Sequence, residues 1–221
     1  MSRFSIYRYE QKRYLLIMKT SALFFIACLM FAACTRRPAQ KDAPVNRVPT
    51  DHSTMDHSKM ESSTGAANAP YELQFIDTMI VHHGGAIDAA QLVATRAQHK
   101  ELVELAKTII ADQQREIADM KQWRSQWFGD SPPAINMDMP GMLDGMKDMD
   151  PSKLDALKEN DFDVEFIRQM IPHLEGAVTM AKDILTRDVH PELKDLAENI
   201  VRSQSDEIER MKAWQAEWQR K

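Results

Sequence analysis

Two stretches of the chain set histidine one helical turn after methionine: "MIVHHGGAIDAA" over residues 79–90 and "MIPHLEGAVTMA" over residues 170–181. Met79 lies three residues before His82 and four before His83, so a helix would carry a thioether and an imidazole on one face. That pair is a soft ligand set, which favours Cu(I), with Ag(I) as its mimic, over hard cations such as Mg²⁺ or Ca²⁺. The competing reading needs no ligand: methionine fills gaps in helical cores, and a buried histidine hydrogen-bonds to a neighbour. Spacing leaves both readings open. His82 and His83 flank the seam of such a helix, so one is expected to bind while the other hydrogen-bonds or faces a rim.

The elements that must position these residues are legible from a repeat. Glu72 to Trp127 aligns without a gap onto Asp163 to Trp218 at an offset of 91, with 23 of 56 positions identical. In each unit apolar residues recur at three and four, which is helical periodicity. A break falls near His99 and near His190, where Pro191 suits a first helical turn. Two helical hairpins predict an all-α four-helix bundle with a single core over residues 71–221. Folding the first hairpin about residue 98 sets Met79 level with about residue 117, which leaves Met120 displaced by about 4.5 Å, within reach of a flexible side chain. The same reasoning brings Met170 near Met211. Gln113 and Gln204 are the expected hydrogen-bond partners for the rings.

Between the hairpins, residues 129–160 are too polar and proline-rich for a long core helix. They read as a crossover with one short helix. Its methionines, Met137, Met139, Met142, Met146 and Met149, are expected outside the core, where soft-metal capture would explain them. Trp123, Trp127, Trp214 and Trp218 end the second helix of each unit and are expected to form one shared aromatic plug. Gly84, Gly85 and Gly176 should permit close helix approach, since no phosphate-binding glycine pattern is present. Pro172 should kink its helix beside His173.

Ahead of the bundle, residues 34–70 hold Pro, Ser, Thr, Asn and Ala with almost no large aliphatics. This composition predicts a flexible tether, and it carries His52, Met55, His57 and Met60. Residues 1–33 read as an export signal, with a true start possible at Met18: the apolar run of about thirteen residues is too short to span a membrane. Its end, "FAAC", resembles a lipoprotein cleavage box, making Cys34 the expected lipidation site. Cys28 would leave with the signal, so no structural disulfide is expected. The remaining chain would hold 23 basic and 32 acidic residues, a balance that argues against nucleic acid as a partner.

The paired motifs "FIDTMIVHHGGAIDAA…QREIADMKQW" and "FIRQMIPHLEGAVTMA…SDEIERMKAW" resemble the bacterial family known as domain of unknown function 305. The resemblance implies a secreted or lipid-anchored ferritin-like bundle, associated in some members with copper binding or tolerance. It implicates Met79, His82 and His83 in the first unit and Met170, His173 and Met180 in the second. Ala89 replaces the last methionine of the pattern in the first unit, and Leu174 replaces the second histidine in the other, so unequal sites are implied. A di-iron centre would need Glu-x-x-His motifs, and none of the seven histidines has a glutamate three residues before it. No nucleophile arrangement, paired zinc-binding cysteine motif or haem attachment sequence is present.

The expected function is therefore non-enzymatic: copper sequestration or transfer in the cell envelope, facing the periplasm or exterior. The metal ligands would be Met79, His82, His83, Met120, Met170, His173, Met180 and Met211, and the membrane would be reached through lipid on Cys34. The alternative is an envelope scaffold that binds a partner protein and whose Met and His residues serve packing.

Overall fold

Three-and-four spacing of apolar residues folds each unit into a long helical pair. The computed structural model describes residues 61–218; the export signal, Cys34 and the tether to residue 60 lie outside them. The helices are α1 (Tyr71–Arg96), α2 (Lys100–Phe128), α3 (Met142–Met146), α4 (Pro151–Asp155), α5 (Glu159–Ile184) and α6 (Pro191–Trp218). No strand occurs among the described residues. The long helices α1, α2, α5 and α6 form the bundle. Pro191 opens α6, where its missing N–H costs nothing, and α5 continues through Pro172 as one helix.

Each hairpin's turn is held by the other hairpin. The Asp163 carboxylate, at the start of α5, accepts from the backbone N–H of His99 (2.9 Å) and lies 2.6 Å from its Nδ1. At the opposite end Glu72, at the start of α1, accepts from the His190 N–H (2.7 Å) and lies 2.8 Å from its Nδ1. Trp218 stacks on His99 at 3.8 Å and Trp127 on His190 at 4.0 Å. The expectation of a single aromatic plug is thus overturned. The tryptophans divide between the two ends because the hairpins pack antiparallel, which separates positions related by the repeat.

The crossover also differs from expectation. It contains two short helices, and all five of its methionines are buried. It lies along the groove between α1 and α5. At one end Asp77 accepts from Arg124 Nε (2.6 Å) and from the Ala134 N–H (2.9 Å), and the Asn136 N–H donates to Thr78 Oγ1 (2.9 Å). Midway, α3 rests on Gly176; at the far end Arg96 donates to the Asp155 and Leu157 carbonyls. Polar residues hold the crossover by its backbone, which frees its methionines to face inward. Residues 61–70, read as tether, also belong to the fold: Ala66 is buried, the Ser63 N–H donates to the Ile135 carbonyl and Ser62 Oγ accepts from the Met137 N–H.

Close approach explains Gly176 but not Gly84. A Cβ on Gly176 would lie 2.5 Å from the Gly141 carbonyl oxygen and 2.8 Å from the Gly145 α-carbon, whereas one on Gly84 would meet nothing within 4 Å. Gly176→Ala should therefore push the crossover off α5 and cost about 1–3 kcal/mol, the usual penalty of overpacking. Gly84→Ala should be neutral or stabilising by up to about 1 kcal/mol through helix propensity. Urea unfolding of both variants checks the contrast.

Candidate metal centre

The apolar core is not single. Along α1 the run of buried apolar residues is interrupted at His82 and His83, along α2 at Gln113 and Glu116, along α5 at His173, and along α6 at Gln204 and Glu207. These polar groups separate two apolar clusters. The repeat places each interruption at matching depth in its hairpin, so the polar positions gather into one layer. A buried polar group without a hydrogen bond costs several kcal/mol, and the layer's arrangement follows from how that cost is met.

His82 and His173, equivalent positions of the repeat, stack face to face at the centre with ring centroids 3.8 Å apart and planes 23° apart. Both are fully buried. His173 sets its Nδ1 3.1 Å from the Gly145 carbonyl oxygen and its Nε2 3.1 Å from that of His82. A neutral imidazole donates one hydrogen bond, so the tautomer decides which of the two carbonyls accepts it. To ligate a metal, His173 must release one of these carbonyls. His82 faces the crossover: a Cβ on Gly145 would lie 2.8 Å from His82 Nε2.

His83 is also fully buried and holds Glu116 through Nε2 at 2.7 Å, while its Nδ1 finds no hydrogen-bond partner among the described residues. The expected partners, the glutamines, do not fill this role: Gln113 Oε1 and Gln204 Oε1 are buried and without hydrogen-bond partners among the described residues. Sequence reasoning missed Glu116. Its signal was available, since it is shared by both repeats and lies on the inward stripe between Gln113 and Met120.

The methionines fall on either side of the layer. Asp77 pairs with Arg124 and His83 with Glu116, a register about three residues further along α2 than a turn at residue 98 gives. Met120 therefore stands level with Met79. Both join one cluster with Met180 and with Met137, Met139, Met142 and Met146 of the crossover. Met170 and Met211 belong to the other cluster with Met149. Of the second unit's candidates, Met180 lies ten residues along α5 from Met170, about 15 Å at the helical rise, so the two cannot share an ion. Among the described residues no three His, Cys, Asp or Glu side chains gather as a metal site. The concentrated donors are thioethers.

Leu174 stands where the first repeat has His83, which leaves Glu207 without the histidine that Glu116 has. Burial, with the Asp112 and Glu116 carboxylates nearby, pushes the Glu207 carboxyl up to about 7 from 4.5. Asp112 and Glu116 also line a cleft of about 270 Å³ between α2 and α6. Because the folded chain holds this proton more tightly than the unfolded chain, the stability contributed is full below about pH 4.5 and is lost as pH rises through about 7. Glu207→Gln should flatten that decline, worth up to about 3 kcal/mol; urea midpoints measured from about pH 4.5 to about pH 8 test it.

The same architecture recurs among known proteins. The family profile described as Domain of unknown function (DUF305) matches residues 72–215. The structure is similar to that of CopM in the Cu(II)-bound form, at 44% sequence identity and TM-score 0.59, covering 66% of this chain and 97% of that one. It is similar to "CopM in the Cu(I)-bound form" at 43% identity and TM-score 0.57, covering 66% and 96%. It is also similar to a DUF305 fragment from Deinococcus radiodurans at 28% identity and TM-score 0.56, covering 67% and 97%. No curated protein matches the chain. With the family profile spanning both hairpins and the polar layer between them, this chain belongs to the DUF305 family.

Proposed function

We propose that the protein binds copper in the cell envelope, as Cu(I) in preference to hard cations, and sequesters it or hands it on without turnover. The observation that carries this reading is Met79 level with Met120, one turn from the buried His82, in a cluster that holds five further methionines. Thioethers and imidazole supply the soft donors that Cu(I) prefers. Similarity to CopM, whose solved structures include Cu(I)-bound, Cu(II)-bound and Ag-bound forms, supports the same reading. The proposed ligands are Met79, His82, His83 and Met120 on one side, with Met180 in the same methionine cluster, and Met170, His173 and Met211 on the other. His83 would act through the nitrogen not held by Glu116. The protein would be exported and anchored by lipid on Cys34.

Anaerobic Cu(I) competition titration tests the assignment. Substituting Leu at Met79, Met120, Met170 and Met211 conserves volume and keeps the core, yet should weaken binding at least about tenfold, since even outer-shell partners of a metal contribute that much. Unchanged binding would remove these four as ligands, and absence of Cu(I) binding by the unmodified chain would leave the scaffold reading in its place. For the anchor, Cys34→Ala should abolish palmitate labelling and release the protein from the membrane fraction.

A further inference from the structure

The crossover is foreign to the repeat, yet it places four methionines in the cluster that surrounds Met79. The choice of residues buried by its short helix α3 is informative. Met142, Gly145 and Met146 face inward with little or no exposure, while Leu143 is 56% exposed. A surface selected only for burying apolar area would turn its leucine in, because leucine packs in better-defined rotamers than methionine. α3 does the reverse and buries its sulfur atoms.

That inward face lies against an imidazole. A Cβ on Gly145 would fall 2.8 Å from His82 Nε2 and 3.2 Å from the Gly176 α-carbon. Met142 and Met146 are one turn apart and are buried with Gly145, so both side chains leave the helix on the face that meets His82. Met79, one turn before His82, belongs to the same cluster. Any residue larger than glycine at position 145 would press on the His82 ring and on α5. The other half of the bundle has no counterpart, since His173 directs both ring nitrogens at carbonyl oxygens.

We propose that a soft monovalent cation, Cu(I) or its analogue Ag(I), binds between α3 and α1, with Met142 and Met146 of the crossover joining Met79 and His82 Nε2 as ligands. This rests on the copper reading above and deepens it: the crossover supplies half of the donors, and the ion is held preferentially on one side of the polar layer. The crossover methionines are ligands of a built site, not exposed collectors.

The test uses the full unmodified chain labelled with ¹³C at the methionine methyl groups and titrated with Ag(I). The first equivalent should shift the Met79, Met142 and Met146 resonances and leave Met149, Met170 and Met211 in place. In parallel, Met142→Leu/Met146→Leu should lower Cu(I) affinity at least about tenfold. First shifts at Met170 and Met211, or at the tether methionines Met55 and Met60, would overturn the proposal, as would wild-type affinity in the folded double variant. If that variant fails to fold, the resonances of the unmodified chain decide alone. Failure of the unmodified chain to bind either ion would overturn the copper reading itself, an outcome distinct from binding at the wrong methionines.

Discussion

The bundle is organised around the need to satisfy a polar layer in an otherwise apolar interior. Buried imidazoles and carboxylates without partners would cost more than the fold's usual margin of stability. The structure meets part of the need with groups from several elements, Glu116 of α2 for His83 and the His82 carbonyl of α1 and the Gly145 carbonyl of the crossover for His173, and leaves His83 Nδ1 and the Gln113 and Gln204 Oε1 atoms without hydrogen-bond partners among the described residues. The crossover's path is therefore fixed by the layer. Gly141, Gly145 and Gly176 allow the backbone to come close enough for that carbonyl to arrive.

Duplication and asymmetry work against each other here. The repeat sets two histidines face to face and two glutamates at matching depth, but the crossover covers only one groove and brings its methionines mainly to one apolar cluster. Replacement of a histidine by Leu174 then gives the two glutamates different environments, one paired and the other protonated into the neutral range. A molecule built from near-identical halves consequently offers two chemically different interiors.

The helices, the repeat and the pairing of methionine with histidine were legible in the sequence because each rests on local spacing. Folding the first hairpin about its break also brought Met79 near Met120, with an error of about one helical turn because the turn's centre cannot be read from residue types alone. What was not legible depends on how the hairpins meet. Antiparallel docking separates Trp127 from Trp218, and no pattern within one unit announces it. The crossover methionines sit in a polar, proline-containing stretch, and composition there suggested exposure; their burial follows from Asp77, Thr78 and Arg96 binding the crossover's backbone. Glu116 was visible as a shared residue, but its role required knowing that His83 points at α2.

The reciprocal grip on the turns bears on how such a protein could arise. Each hairpin carries an acidic residue at its start, a histidine at its turn and a tryptophan at its end, yet it uses none of them on itself: Glu72 and Trp127 serve His190, and Asp163 and Trp218 serve His99. One unit alone has every part of this clasp and no means of fastening it. Two separate copies could fasten each other about a two-fold axis, as closed homodimers do. The present chain holds such a pairing within one molecule, and the clasp at either end makes no use of the crossover that joins its halves.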